Sequence, residues 1–214
     1  MSKRLFDIIL SGIGLILLSP ILLALVVAIK RDTPGPVFFR GSRVGLHGKP
    51  FRIFKLRTMV VDAEKMGASS TSDDDPRITR IGKVLRKYKL DELPQLINVL
   101  LGDMSLVGPR PEVKKFTDLY TDKEKAILTV KPGITDWASI WNSDEGAVLV
   151  GYEDPDKAYE ELIRPTKLAL QLKYVRERSF WVDMRIIILT ILAIVRPGNE
   201  SQAVVDIFNK KGIM

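Results

Sequence analysis

Residues 5–29 form an almost unbroken apolar run in which Asp7 is the only charge. Roughly 20 such residues suffice to cross a bilayer as a helix. The run exceeds the apolar region of a cleaved signal peptide, about 7–15 residues, and no small-x-small cleavage pattern follows it. Pro20 sits mid-run, where it removes a helix hydrogen bond, and the neighbouring Ser19 is placed to bond a freed carbonyl. Lys3 and Arg4 precede the run; Lys30 and Arg31 follow it. Basic flanks favour the cytoplasmic side, so both ends are expected there. A re-entrant helix–break–helix at Ser19-Pro20 satisfies both flanks, and a kinked single span is its rival. Asp7 lies one turn from Arg4 and is expected to pair with it.

Asp32-Thr33-Pro34-Gly35-Pro36 then breaks the chain with turn residues. Two β-like runs follow, at 37–40 and 51–56, with Gly45, Gly48 and Pro50 between them, which predicts a hairpin. If Lys55-Leu56-Arg57 is extended, Lys55 and Arg57 share a face. Residues 67–76 read as a solvated polar loop whose aspartates neutralise nearby arginines. At 78–88 the period becomes helical, with Ile78, Ile81 and Leu85 on one side and Arg80, Lys83, Arg86 and Lys87 on the other. Such a basic face is either simply solvated or rests on anionic lipid. Another helix is predicted over 165–178, with Pro165 suited to its start. The apolar segment 186–195 is too short to span a bilayer. Three roles stay open for it: a core helix, a membrane-facing helix, or the contact of a homodimer. The expected fold is α+β and mainly helical. It comprises a re-entrant membrane anchor (1–31), a body with a small β-hairpin and interfacial amphipathic helices (32–198), and a tail (199–214).

Charge narrows the partners. The formal balance of 33 basic and 26 acidic residues gives +7, which favours an anionic surface or a phosphorylated substrate. Nucleic acid fits poorly: aromatics do not cluster among the basic residues, and the chain carries an apolar anchor. The absence of cysteine excludes thiolate metal sites and thiol nucleophiles. His47 is the only histidine, which argues against a histidine metal cluster or a Ser-His-Asp triad.

The remaining chemistry concentrates at Asp91-Glu92. A carboxylate pair before Leu-Pro often just decorates a helix start. Here a basic helix runs into the pair, and Pro94 can sit in the first turn of the next helix. Asp91 would then lie near backbone N–H groups that favour phosphate. Gly108-Pro109-Arg110-Pro111 is a stiff turn that presents Arg110 with little entropy loss, and arginine suits bidentate phosphate recognition. Carboxylates with arginines and no usable histidine point to Mg²⁺-dependent chemistry at phosphate. Whether Asp91 attacks phosphorus or only binds metal stays open on these grounds.

Several motifs, in order, carry a resemblance. They include Lys3-Arg4-Leu5-Phe6-Asp7, Ser19-Pro20, Pro34-Gly35-Pro36-Val37-Phe38 and Phe54-Lys55-Leu56-Arg57-Thr58-Met59. Leu90-Asp91-Glu92-Leu93-Pro94-Gln95, the stretch 102–111 and Lys131-Pro132-Gly133-Ile134-Thr135 complete the set. Together they resemble the bacterial sugar transferases of the monotopic phosphoglycosyl transferase superfamily. That resemblance implies a membrane enzyme at the cytoplasmic face of the bacterial inner membrane, lodged in the lipid bilayer by a re-entrant helix. It implies a UDP-sugar donor, a polyprenyl phosphate acceptor, Mg²⁺ and release of UMP, in a pathway that initiates glycoconjugate or exopolysaccharide assembly. Asp91 would be the nucleophile, holding a covalent phosphosugar, and a metal ligand. Glu92 would orient groups or take a proton from the acceptor. Arg57, Arg86 and Arg110 would contact phosphate. A non-catalytic, membrane-anchored scaffold for glycan assembly is the alternative; it would not need the carboxylate pair beside Arg86 and Arg110. One position departs from the family pattern: Asp136 stands where relatives commonly carry glycine, and it fits without strain only if its φ is negative. Trp137 and Trp141, spaced i, i+4, are expected to pack in the core or interface.

Overall fold

The computed structural model describes residues 3–195; the expected tail at 199–214 lies outside the described residues. The chain opens with α1 (Lys3–Asp32), which is helical throughout and contains Pro20. The expected break is therefore not a gap in the helix. Proline at 20 frees the carbonyl four residues back, and the Ser19 hydroxyl donates to that Ile16 carbonyl at 2.7 Å. Helical geometry thus passes through the Ser-Pro pair. In its most apolar 18-residue window only 6% of α1 is buried, so most of its surface has no protein cover. Length and composition make it able to cross a bilayer.

Both ends of α1 are tied to the body. At its start, Arg4 donates to the carbonyls of Val99 and Leu100. Asp7 is buried and accepts from the backbone N–H of Leu106. The expected Arg4–Asp7 pair does not form, because exposed helical C=O groups and a free strand N–H offer each charge a better partner. At the other end Ile29 packs with Leu56 and Leu85 in a buried cluster, and Asp32 accepts from the N–H of Ile81.

The hairpin forms as two nested antiparallel pairs. β1 (Phe38–Phe39) pairs with β4 (Lys55–Leu56), and β2 (Ser42–Val44) pairs with β3 (Pro50–Arg52). It leads to α2 (Arg80–Lys87), capped by the Thr79 hydroxyl, which accepts from Gly82 N. Gly82 is obligatory there: a Cβ would lie 2.0 Å from the Thr58 carbonyl oxygen. Loop 67–76 is less solvated than expected, since Ser70 and Ser72 are buried, yet Asp75 does neutralise Arg77 at 2.6 Å.

α3 (Gln95–Leu101) follows, then β5 (Ser105–Val107). Asn98 of α3 is fully buried. It accepts from Phe54 N and donates to the Arg52 carbonyl, which fixes the hairpin against α3. β5 pairs in parallel with β6 (Gly133–Thr135), a pairing absent from the expected fold. Between them lies the short α4 (Lys114–Thr117). α5 (Trp137–Trp141), α6 (Glu145–Val148) and α7 (Pro155–Ala158) precede a π-helical turn, then α8 (Arg164–Glu177) and α9 (Phe180–Val195). Trp137 packs in the main core with Val107, Ile140, Tyr174 and Ile186, as expected, and Trp141 is partly buried against it. Ile186 gives α9 a core face; Trp181, Ile188 and Ile191 on α9 stay exposed.

Candidate active site

Asp91 and Glu92 lie in a 3₁₀ turn (Leu90–Glu92) wedged between α2 and α3. Lys89, at φ 56°, reverses the chain just before them. A left-handed conformation at a non-glycine residue costs about 1–2 kcal/mol and is the kind of strain that functional sites hold. Pro94 then caps α3, which puts Asp91 one short turn ahead of that helix, close to its expected place.

The two carboxylates meet different environments. Glu92 is gripped by Arg110: Nη1 donates to Oε2 at 2.8 Å and Nη2 to Oε1. Lys55 Nζ adds a bond to Oε1 at 2.8 Å. Burial opposes its charge, but the two cations win and hold the Glu92 carboxyl well below the usual carboxylate range. Asp91 is only 6% exposed, and among the described residues its one ion pair is a longer contact to Lys55 at 3.5 Å. Burial therefore pushes its carboxyl up, with Lys55 only partly offsetting it.

Arg86 reaches the site from α2. It donates to Thr58 Oγ1 at 3.2 Å and contacts Met59 Sδ at 3.6 Å. Burial lowers its pKa, opposed chiefly by Asp91. Among the described residues it forms no ion pair at salt-bridge distance. Lys55, Arg86 and Arg110 thus outnumber the two carboxylates, an excess suited to phosphate.

Arg57 is not brought to the pair. Its Nη1 and Nη2 donate to the carbonyls of Pro34 and Thr33, at 2.7 and 2.8 Å. The pairing runs on past β4, with the Arg57 N–H donating to the Val37 carbonyl at 2.8 Å, yet the carbonyls that follow α1 take up the Arg57 guanidinium, and Lys55 alone joins the carboxylates. Lys55 is the site residue that sequence reasoning did not single out; the shared-face argument over 55–57 was its only signal. Arg43 of β2 also lies in the field of Arg110 and Glu92, and burial pushes its pKa down.

Beneath Arg110 the chain continues into a buried polar cluster with no sequence signature. Glu112 accepts from the hydroxyls of Tyr120 and Tyr159. Lys167 Nζ donates to Tyr159 at 2.8 Å and lies 3.4 Å from Glu112. Burial works against its charge, yet Glu145, Tyr159 and Glu112 hold Lys167 well above the ordinary lysine range. Asp136, with φ −156°, meets the condition for replacing glycine and caps α5.

A carboxylate pair, one buried and one partly so, unequally neutralised and ringed by cations beside an uncovered apolar helix, is the makings of an enzyme that works on phosphate at a membrane. The sequence model describing bacterial sugar transferases matches residues 1–197, and the chain belongs to that family. Among its relatives, a UDP-glucose:undecaprenyl-phosphate glucose-1-phosphate transferase of Escherichia coli is 39% identical over 194 residues, covering 88% of this chain and 39% of the relative. A UDP-N-acetylgalactosamine-undecaprenyl-phosphate N-acetylgalactosaminephosphotransferase of Aeromonas hydrophila is 42% identical, covering 90% and 43%. A sugar transferase of Bacillus subtilis, EpsL, is 40% identical, covering 88% and 85%. The chain thus spans about two fifths of the first two relatives and most of the third.

Proposed function

We propose that this chain transfers a phosphosugar from a UDP-sugar to polyprenyl phosphate, releasing UMP, through a covalent phosphosugar on Asp91. The observation that carries this reading is the contrast within the pair. Glu92 is neutralised by Arg110 and Lys55, whereas Asp91 is buried with one long ion pair. A desolvated, weakly paired carboxylate has its electron pairs available for attack. The names of the Escherichia coli and Aeromonas hydrophila relatives, which specify UDP-sugars and undecaprenyl phosphate, support the substrate classes.

In the first displacement an Asp91 oxygen attacks the sugar-bearing phosphorus. The bond from that phosphorus to the oxygen of the uridylate phosphate breaks, and UMP leaves with the electron pair. In the second, a polyprenyl phosphate oxygen attacks the same phosphorus, the acyl-phosphate bond breaks, and Asp91 returns as a carboxylate. Arg86, with no carboxylate at salt-bridge distance among the described residues, is the seat for phosphate oxygens; Arg110 keeps further N–H donors beyond the two that Glu92 takes. Glu92 acts by orienting Arg110 and Lys55, because a carboxylate held so far below neutrality is a weak base.

Among the described residues no three acidic or histidine side chains form a metal cluster. Mg²⁺ fits such a site, since it takes one or two carboxylates with substrate phosphates and water. Asp91 is the side chain placed to hold it, and when bound the ion supplies charge neutralisation at the diphosphate.

The tethering of both α1 ends supports entry and exit by one face, and the basic flanks of α1 favour the cytoplasmic one. A single span would separate the contacts of Arg4 and Asp7 from those of Ile29 and Asp32 across the bilayer. Re-entry keeps both on one side, with Asp91 near the headgroups that present the acceptor phosphate.

The test is UMP release from a panel of UDP-sugars with polyprenyl phosphate and Mg²⁺, for wild type and Asp91→Asn, together with intact-protein mass after exposure to donor alone. Asp91-dependent release and a phosphosugar adduct on the Asp91 peptide are expected. Full activity in Asp91→Asn overturns the covalent route.

A further inference from the structure

We propose that Asp136 is a positioning residue for Arg110, fixing through its main chain the guanidinium that grips Glu92. The proposal rests on the transferase reading for its kinetic consequence, and on geometry alone for the clamp itself. Pro109 and Pro111 have no backbone N–H, so Arg110 supplies the one donor across positions 109–111. That N–H goes to Asp136 Oδ2 at 3.1 Å. Gln171 Nε2, from α8, donates to the same Oδ2 at 3.2 Å and to the Arg110 carbonyl at 3.3 Å. The other oxygen, Oδ1, accepts from Ser139 N and Ser139 Oγ, both at 2.7 Å. Asp136 and Gln171 are completely buried.

Four donors converge on one carboxylate, two on each oxygen. An aspartate side chain offers an acceptor oxygen on both sides. Asparagine has a single oxygen, so its amide NH₂ must face either Arg110 N and Gln171 or the two Ser139 donors. The N-terminal end of α5 and the Arg110 turn are thereby joined through one side chain. Glu92 holds the Arg110 guanidinium from the front; Asp136 holds the Arg110 backbone from behind.

The experiment compares Asp136→Asn with Ile140→Val, a core substitution on the same helix that removes a buried methyl group and none of the four clamp donors, as a control for lost packing. Steady-state kinetics and ¹⁵N-arginine spectra are recorded on the full-length protein in detergent, with the Arg110 guanidinium signal identified by its loss in Arg110→Lys. Asp136→Asn is expected to broaden the Arg110 signal and to lower kcat by about tenfold or more, the scale of a sub-ångström misplacement, with donor KM nearly unchanged. Ile140→Val should lower thermal stability while leaving the signal and kcat in place. If Asp136→Asn matches Ile140→Val in both readouts, the positioning role is overturned. If the signal broadens in a protein that releases UMP from no donor, the clamp stands and the transferase reading falls.

Discussion

Arg110 and Glu92, eighteen positions apart, are joined through both guanidinium Nη atoms and both carboxylate oxygens. This pairing divides labour between two adjacent acids. Glu92 takes the strong cationic partners, and Asp91 beside it is left desolvated with little compensation. Neighbouring carboxylates with unequal environments can do different chemistry.

Asp91→Asn should abolish transfer, by on the order of a thousandfold or more for loss of a nucleophile. It should not cost stability. Burial raises the folded pKa of Asp91 above its unfolded value, so ionising it opposes folding. The stability of the protonated form is present below the unfolded pKa and is lost as pH rises through the folded one. Asp91→Asn is therefore expected to melt at or above the wild-type temperature at pH 7 and to converge with it near pH 4. Melting curves across that range check the sign.

Glu92→Gln should do the reverse. The folded pKa of Glu92 is depressed, so its stabilisation is present above the unfolded value and is lost as pH falls through the folded one. Removing the charge leaves Arg110 and Lys55 facing a neutral amide. A loss of about 3 kcal/mol at pH 7 is expected, the lower end for a broken buried pair. Denaturant unfolding should show it shrinking under acid conditions.

Arg57→Ala separates a structural arginine from a substrate-binding one. Arg57 holds the carbonyls of Thr33 and Pro34 just past the end of α1. Losing two bonds from a charged donor should cost about 2–4 kcal/mol, with donor KM unchanged. A large rise in KM at unchanged melting temperature would return Arg57 to the phosphate site.

The expected elements that stood were those written in local periodicity. Ile78, Ile81 and Leu85 marked α2, the apolar run marked α1, and glycine and proline marked the hairpin. What was not legible is non-local. β5 and β6 are three residues each, and their pairing depends on a close approach in which a Cβ on Gly133 would lie 2.0 Å from Gly108 N. α9 begins earlier than its apolar core because Asp183 interrupts the pattern; that residue is buried and accepts from Tyr174 and Lys3. At the site, Asp91, Glu92, Arg86 and Arg110 lie together. Lys55 and Arg57 part ways because the carbonyls of Thr33 and Pro34 draw the Arg57 guanidinium to the end of α1, a tertiary contact that no periodicity announces. The bond from Arg110 to Asp136 likewise depends on tertiary placement, and sequence offered only an unusual residue at 136.

The Glu112–Lys167 pair yields the sharpest stability contrast. Lys167→Met alone strands the Glu112 carboxylate beneath the Arg110 turn, with Tyr120 and Tyr159 its remaining donors. Breaking a buried pair from one side costs about 3–5 kcal/mol, a large part of a typical domain's stability. Glu112→Gln with Lys167→Met removes both charges and leaves an amide that still bonds the tyrosine hydroxyls. The double variant should recover most of the loss, giving a coupling energy of at least about 2 kcal/mol in a double-mutant cycle. Additive losses would mean that the two side chains are energetically independent and that Glu145, 3.4 Å from Lys167, is the partner that matters. Urea unfolding of the four proteins in one detergent decides between them.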